Sequence, residues 1–430
     1  MARDANSISE YLDTLRGRMP VEDIRARLAP KPSERKGIRP FTDIRRENVE
    51  RTWDQLEESA STPSNARPAL LDPETRRDLD AYSGNIETLI GTAKVPMGIA
   101  GPVRVNGLNA QGEYHVPLAT CEAALVASYH RGMRAATAAG GVTAAVLTRG
   151  VMRSPGFAFA NEISAGLFVD WVLRNRDMLF AAAQATTRHG RLTELSPHIE
   201  NEVVFLLCRY DTADASGQNM CTIATDALCN AIISHCPVQP EHWFVEANFS
   251  SDKKASALAF LSGRGRKTTA SVVLEEAIVK RHLRTSIDRM DKYVRMSSLG
   301  GIVSGTMGVQ GHYANALAAI FIATGQDAAC VAECAVGVTR LERSEGSMRF
   351  SVTLPNLLVG TVGGGTGTPT ARAALDILGL YGAGNADAFA EVVAATCLAG
   401  ELSIIAALSS GQFTGAHHKL ARTRISGEAQ

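Results

Sequence analysis

The chain has 430 residues, 45% hydrophobic and 20% charged, which is enough for two or three domains around a sizeable core and ordinary for a soluble globular protein. Lys plus Arg and Asp plus Glu both number 44, so no global positive field points to nucleic acid or an anionic membrane, and an aromatic share of 6% argues against a base-stacking platform. Eight cysteines lie scattered without a CxxC pair, in a chain too large to need disulfides, and read as reduced, mostly buried thiols of a cytoplasmic protein.

The N-terminal run MARDANSISEYLDTLRGRM is charged and lacks the apolar core of a signal peptide. Residues 1–85 are polar and helix-prone, with proline and serine breaks at 30–33 and 59–68, and predict a small helical region. From Ile86 the texture turns to IETLIGTAKVPMGIAGPVRVNG, whose short apolar runs, punctuated by glycine and by Asn106-Gly107, predict strands and tight turns.

The next stretch, 117–150, sets Glu122 among Arg131, Arg134 and Arg149 on a small, apolar background. Thr120 is the expected N-cap of a helix running to Ala139, with Gly140-Gly141 as its stop and Glu122 in its first turn. Arg131 and Arg134 then share a face, whereas Glu122 lies roughly 14 Å away along the axis at about 1.5 Å per residue. A long ligand with phosphates at the arginines would bring its reacting end to Glu122; solvated surface charges are the competing reading of the arginines.

Residues 151–243 alternate helix (about 164–187), strand (202–210) and helix (219–234), the pattern of a small α/β domain inserted in a larger one. A polar loop follows, then the apolar run 270–273. The final third is dominated by helix formers and glycine runs; its apolar flanks favour close backbone approach over flexible linkers. No uninterrupted apolar run approaches 18 residues, 314–324 being among the richest, so no membrane span is predicted.

Nucleotide and metal signatures are missing from the sequence. GGGTGTPT does not have GxGxxG spacing, no GxxxxGK[ST], HExxH or GxSxG occurs, and adjacent His417-His418 suit a shared metal poorly, so no metal is expected. What stands out is Glu122, the run Asp252-Lys253-Lys254, Asp327 and His417. An acid, a cation, a second carboxylate and a histidine suffice for proton transfers around a carbonyl, although each taken singly reads more often as a surface charge.

In order and at matching spacing over about 86–424, ETLIG, VPMGIAGPV, TCEAALVAS with its following RG, LTRG, DASGQNM, SDKKASA, GRGRK, HYAN, TGQDAA, GTVGGGTGTPT and GAHHKLAR resemble the hydroxymethylglutaryl-CoA reductase family, in particular the soluble catalytic portion of the class found in eukaryotes and archaea. The resemblance implies an α+β fold: a large helix-rich domain for substrate and CoA (86–150 and 257–430), an inserted ferredoxin-like small domain for the dinucleotide (151–243), a connecting catalytic loop (244–256) and the N-terminal helical region. It implies reduction of hydroxymethylglutaryl-CoA to mevalonate with two NADPH, in a homodimer or dimer of dimers, with neither membrane nor nucleic acid as partner.

Residue by residue, the resemblance implies Glu122 as proton donor, Lys253 as oxyanion stabiliser, Asp327 between them raising the proton affinity of Glu122, and His417 as the acid for the departing thiolate. It gives Thr187 and Arg188, in TRHGRL, to the 2′-phosphate of NADPH, and Asp214, Ser216, Gly217, Gln218 and Asn219 to the nicotinamide side. Ser128, Arg131, Arg134, Arg149, Glu246, Asn248, Asp252, Lys254, Arg295, His312 and Asn315 fall to substrate and CoA. Glu246 departs from the pattern, standing where the family has a serine that contacts the distal carboxylate. To accept that substrate, Glu246 must pair with Arg149, Lys254 or Arg295 or be protonated; a different acyl-CoA is the alternative, and a non-catalytic CoA-binding homologue a further one. Gln412 and Thr423 replace a family histidine and serine near the C-terminus.

Overall fold

Polar, proline-punctuated sequence folds first into short helices: α1 (Val21–Leu28), α2 (Arg46–Glu58), α3 (Ala66–Leu70) and α4 (Pro73–Arg77). The computed structural model describes residues 13, 15, 17, 20–32, 37–58, 62, 63 and 65–411; Gln412, His417 and Thr423 lie outside them. Asp72 caps α4, accepting from the amides of Glu74 and Thr75, with Pro73 in the first turn where its missing N–H costs nothing. The described residues up to 79 form one compact unit together with 86–91, within which the buried Trp53 donates from Nε1 to the Ile90 carbonyl at 2.8 Å.

The second unit, residues 80–85 and 92 onward, is built on two sheets that share one strand. β1 (Met97–Gly107) and β2 (Gln111–Ala119) form an antiparallel hairpin. Helix α5 (Leu125–Ala138) then returns the chain so that β3 (Val142–Arg153) lies parallel to β1. The far end of β3 enters the second sheet, made by β4 (Gly156–Ala158), α6 (Glu162–Arg174), α7 (Arg176–Gln184), β5 (Arg191–Glu200), β6 (Val203–Asp211), α8 (Gln218–His235) and β7 (His242–Phe244). Its order β7-β4-β6-β5, antiparallel throughout, is the split βαβ arrangement of a ferredoxin-like domain.

After α9 (Ala257–Ser262) the chain rejoins the first sheet as β8 (Gly265–Glu275), antiparallel to β3. Helix α10 (Ile287–Ser304), β9 (Gly308–Val309) and α11 (Tyr313–Thr324) follow. The hairpin β10 (Gly337–Ser344) and β11 (Ser347–Leu357) completes that sheet beside β8, before α12 (Pro369–Leu378) and α13 (Ala386–Ser410).

Several elements differ from the sequence expectation. The helix foreseen over 164–187 is two helices, broken at Asn175, whose side-chain amide turns back to the Trp171 carbonyl. β5 and the β10–β11 hairpin were not foreseen: β5 loses its alternation at the register shift between Leu192 and Glu194, whereas β11 alternates buried Met348, Phe350, Val352 and Leu354 with less buried Arg349, Ser351 and Thr353, a period-2 signal the sequence reading did not use.

Helix α13 is the centre of the second unit. Over its most apolar window it has a mean hydropathy of 1.9, enough in length and composition to cross a membrane, and 83% of that window is buried inside the protein. Asp387, Glu391 and Glu401 interrupt its apolar residues, so it contains no uninterrupted run of that length. α5 packs on it through small residues: a Cβ on Gly132 would lie 1.8 Å from the Ala399 carbonyl oxygen, so only glycine permits that crossing.

The three carboxylates of α13 are buried and fully engaged. Asp387 binds Arg149 and, at 2.8 Å, Arg266; Glu391 accepts from the amides of Asn109, Ala110 and Val146 and from the Asn109 side chain; Glu401 holds the segment before α11.

Candidate active site

Four groups of residues carry the candidate chemistry. The first is the turn before α5. Glu122 is not in the first turn of a helix: Thr120 Oγ1 accepts from the Glu122 amide at 3.0 Å, Ala124 takes a left-handed conformation (φ 71°), and the helix starts at Leu125. Thr120 therefore caps a local turn, leaving the Glu122 side chain exposed, with Asn315 Nδ2 reaching its Oε1 at 3.4 Å.

On α5 itself Arg131 donates to Ser403 Oγ and to the Ser403 carbonyl, at 3.0 and 2.6 Å, and Ser128 shares a hydrogen bond with the same hydroxyl. Arg134 is exposed. Burial, then Arg284, lowers the pKa of Arg131; burial, then Arg281 and Arg134, holds His282 below the usual histidine value. Arg281 and Arg284 thus extend the positive surface of α5, and the sequence reading missed them because charges in a short, irregular segment look like any solvated turn.

The second group is the loop between β7 and α9. Asn248, Ser251 and Lys253 have φ of 64°, 64° and 57°, a strained sequence of left-handed conformations for residues with side chains. A buried ion network holds the loop. Arg264, completely buried, reaches Glu333 at 2.6 Å and Asp252 at 2.9 Å, while Arg153 reaches Asp252 at 2.8 Å and also donates to Thr222 and the Gln218 carbonyl. Burial raises the Glu333 pKa against the pull of Arg264; Asp252 lies below its ordinary value, since Arg153 and Arg264 outweigh the effect of burial. Glu333 also accepts from the Lys253 amide at 3.3 Å.

Held this way, Lys253 Nζ lies 3.0 Å from Asp327 Oδ2, and Gln218 Nε2 approaches the same oxygen at 3.4 Å. The hydrogen bond to Asp327 raises the Lys253 pKa; burial works the other way on Asp327, but Lys253 brings it below the ordinary carboxylate value. Asp327 thus directs its carboxylate to Lys253 and Gln218, and Glu122 directs its own to Asn315.

Glu246 does not pair with Arg149, Lys254 or Arg295. Its carboxylate lies 3.5 Å from Arg153 and accepts from the amides of Ser154 and Asn248, at 3.3 and 2.9 Å. The other cations are committed elsewhere: Arg149 to Asp387, Lys254 to the Asp252 carbonyl at 2.8 Å, and Arg295 to Asp291 one turn earlier on exposed α10. Arg153, which the sequence reading did not single out, supplies the charge; its one signal was an arginine set directly after the apolar end of β3.

The third group lines a cleft of about 560 Å³ that includes Arg188, His189, Arg191, Arg149, Arg266, Asp211, Asp214 and Asp387. Thr187 Oγ1 accepts from the amides of His189 and Gly190, which shapes the turn presenting Arg188. Among the described residues, neither Arg188 nor Arg191 has an ion-pair partner, so both remain available to an anion. Asp214 turns to the amides of Gly384 and Ala386 at the start of α13, at 2.9 and 3.2 Å, so its side chain serves the fold of the 214–220 loop. That loop passes so close to Gly360 that a Cβ there would meet the Ser216 nitrogen at 2.6 Å. Gly217 precedes α8, on which Gln218 faces Asp327 and Asn219 is exposed.

The fourth group is His312, on which Glu401 and Tyr129 converge, followed three residues later by Asn315. Among the described residues no group of three or more His, Cys, Asp and Glu is arranged to hold a metal.

Residues 42–422 match the family model described as hydroxymethylglutaryl-coenzyme A reductase. The chain is 43% identical over 343 residues to the 3-hydroxy-3-methylglutaryl-coenzyme A reductase of Halobacterium salinarum, covering 78% of this chain and 84% of that one. It is 41% identical over 380 residues to the enzyme of the same name from Haloferax volcanii, covering 84% and 94%. Among solved structures it is similar to the class II enzyme of Streptococcus pneumoniae bound to NADPH, with a TM-score of 0.62 at 20% identity, covering 84% of this chain and 96% of that one; at this identity the likeness is one of fold.

The Lys253–Asp327 pair predicts a pH response with a definite sign. A raised lysine pKa means the pair's stabilisation is complete below the ordinary lysine value and is lost as pH rises through the raised one. A lowered aspartate pKa means it is present above the ordinary carboxylate value and lost as pH falls through the lowered one. Reductive methylation with carbon-13 NMR should find Lys253 titrating above an ordinary lysine, and Asp327→Asn should move that titration to lower pH. An unmoved titration would separate the two groups.

Proposed function

Because the chain belongs to the hydroxymethylglutaryl-coenzyme A reductase family, we propose that it reduces hydroxymethylglutaryl-CoA to mevalonate and CoA with two equivalents of NADPH, through a bound hemithioacetal and aldehyde. The observation that carries the reading is the Lys253 ammonium, held 3.0 Å from Asp327 by a loop that a buried ion network fixes. Each reduction places negative charge on the carbonyl oxygen of the same carbon, and a preorganised ammonium stabilises that charge without reorganising. Asp327 keeps the lysine protonated. Glu122, facing Asn315, takes the proton-donor role that the resemblance implies in the second step. His417, outside the described residues, keeps the role the resemblance implies, protonating the CoA thiolate.

The coenzyme supplies hydride. The residues present fit it: the cleft has the size of a cofactor site and displays Arg188 and Arg191 without ion-pair partners, and a guanidinium suits a 2′-phosphate. Arg131 and Arg134, with Arg281 and Arg284, offer positive charge to the phosphates of CoA. Segments 86–150 and 257–430, 151–243 and 244–256 act as substrate domain, coenzyme domain and catalytic loop. Glu246, engaged by Arg153 and two backbone amides, has its charge answered inside the protein, which removes the motive for a different acyl group.

A cytoplasmic homodimer or dimer of dimers completes the reading. Seven of the eight cysteines are buried free thiols. Met296, Leu299 and Val303 form an exposed apolar stripe on α10, 76%, 63% and 78% exposed, beside Arg295, which no contact among the described residues brings to the other site cations. Light scattering should find at least a dimer; a monomer fully active at nanomolar concentration would defeat this.

Following NADPH loss with a panel of acyl-CoAs tests the activity. Mevalonate should form, and hydroxymethylglutaryl-CoA should be the best substrate; another acyl-CoA favoured by about tenfold or more in kcat/KM would overturn the substrate assignment. Arg188→Ala should raise the KM for NADPH by about tenfold to a hundredfold, the scale of one charge-assisted hydrogen bond, with little effect on NADH. Equal losses for both coenzymes would place the 2′-phosphate elsewhere.

A further inference from the structure

Glu401 is fully buried on α13 and has no part in the chemistry described so far. Its Oε1 accepts from the His312 amide at 2.7 Å and faces His312 Nδ1 at 3.1 Å; its Oε2 accepts from the Gly311 amide and from Thr339 Oγ1, both at 2.8 Å. Burial raises the pKa of this carboxyl, but His312 and the backbone amides together hold it below the ordinary glutamate value. An ionised carboxylate has no proton to give, so Nδ1 of His312 must be the donor. In the neutral ring Nε2 is then bare, free to accept a hydrogen bond. Tyr129 stacks on the same ring, with centroids 5.7 Å apart and planes 15° from parallel, which limits its rotation.

The same carboxylate governs a second group. His312 occupies the N-cap position of α11, its carbonyl accepts from the Asn315 amide at 3.0 Å, and Asn315 Nδ2 reaches Glu122 at 3.4 Å. By holding the amides of Gly311 and His312, Glu401 sets where that first turn begins and so where the Asn315 side chain stands.

We propose that Glu401 is a positioning residue that fixes the Nδ1-protonated tautomer of His312 and anchors the first turn of α11, keeping Asn315 against Glu122. The proposal rests on the reading of Glu122, His312 and Asn315 as acyl-CoA site residues, and its test is arranged to fail separately from that reading.

Nitrogen-15 NMR of the 430-residue chain, with the His312 signals assigned by their loss in His312→Gln, reports the tautomer without any turnover. Above the ring's titration the expected result is a protonated Nδ1 and a bare Nε2; a protonated Nε2 with bare Nδ1 overturns the proposal. In Glu401→Gln the Nε2-protonated form should appear, and the KM for hydroxymethylglutaryl-CoA should rise about tenfold while that for NADPH stays within about twofold, as expected for one lost charge-assisted hydrogen bond. A folded variant with unchanged tautomer and KM values, or with both KM values raised alike, overturns it as well. Should Glu401→Gln not fold, the wild-type tautomer and the same selective KM rise in His312→Gln decide. An Nδ1-protonated His312 in an enzyme inactive on this substrate counts against the proposed activity and leaves the tautomer assignment standing.

Discussion

Taking a carboxylate out of water costs several kcal/mol unless donors replace the solvent, and α13 takes three out of water along a single helix. The donors come from the elements that make the site. Asp387 draws in Arg149 and Arg266 beside the cleft, Glu391 closes the β1–β2 turn and the start of β3, and Glu401 collects the segment leading into α11. Because an unanswered charge at that depth is not tolerated, each element has one position in which α13 can be buried. The apolar faces of the helix supply the driving force, and its carboxylates supply the register.

A second buried network applies the same logic to the loop between β7 and α9. Arg264 and Arg153 on one side, Asp252 and Glu333 on the other, face each other with little access to water. Breaking one member would leave a buried charge without its partner, a cost of about 3–5 kcal/mol, enough to hold Asn248, Ser251 and Lys253 in left-handed conformations. The strain places the ammonium of Lys253 beside Asp327, and Glu246 lies at the edge of this network on Arg153. A glutamate at that position therefore functions within the scaffold, whereas electrostatics judged from the sequence treated it as a charge facing the substrate.

Charge outside these networks is left open to ligands. Among the described residues of the second unit, Arg188 and Arg191 in the cleft, and Arg131, Arg134, Arg281 and Arg284 around α5, are cations without an ion-pair partner that suit phosphates. The cleft is bounded by the ferredoxin-like sheet and the start of α13, so in the proposed function a dinucleotide there and an acyl group near Lys253 would address different sheets joined through β3.

The sequence by itself determined what depends on spacing along the chain. The motif order identified the family, Gly140-Gly141 stopped α5, the apolar run 314–324 became α11, and β6 and α8 fell within a residue or so of expectation. Caps, periodicity and glycine stops are local, so they survive reading in one dimension. What tertiary structure alone decided were the partners. Thr120 caps a turn and excludes Glu122 from the helix; Glu246 meets Arg153 and not the three cations expected; Glu333 and Glu401 reach the backbone of Lys253 and His312 from 80 and 89 residues away. A buried charge takes the donor that folding brings within hydrogen-bond reach, and that proximity is a property of the packed chain, with no counterpart in residue spacing.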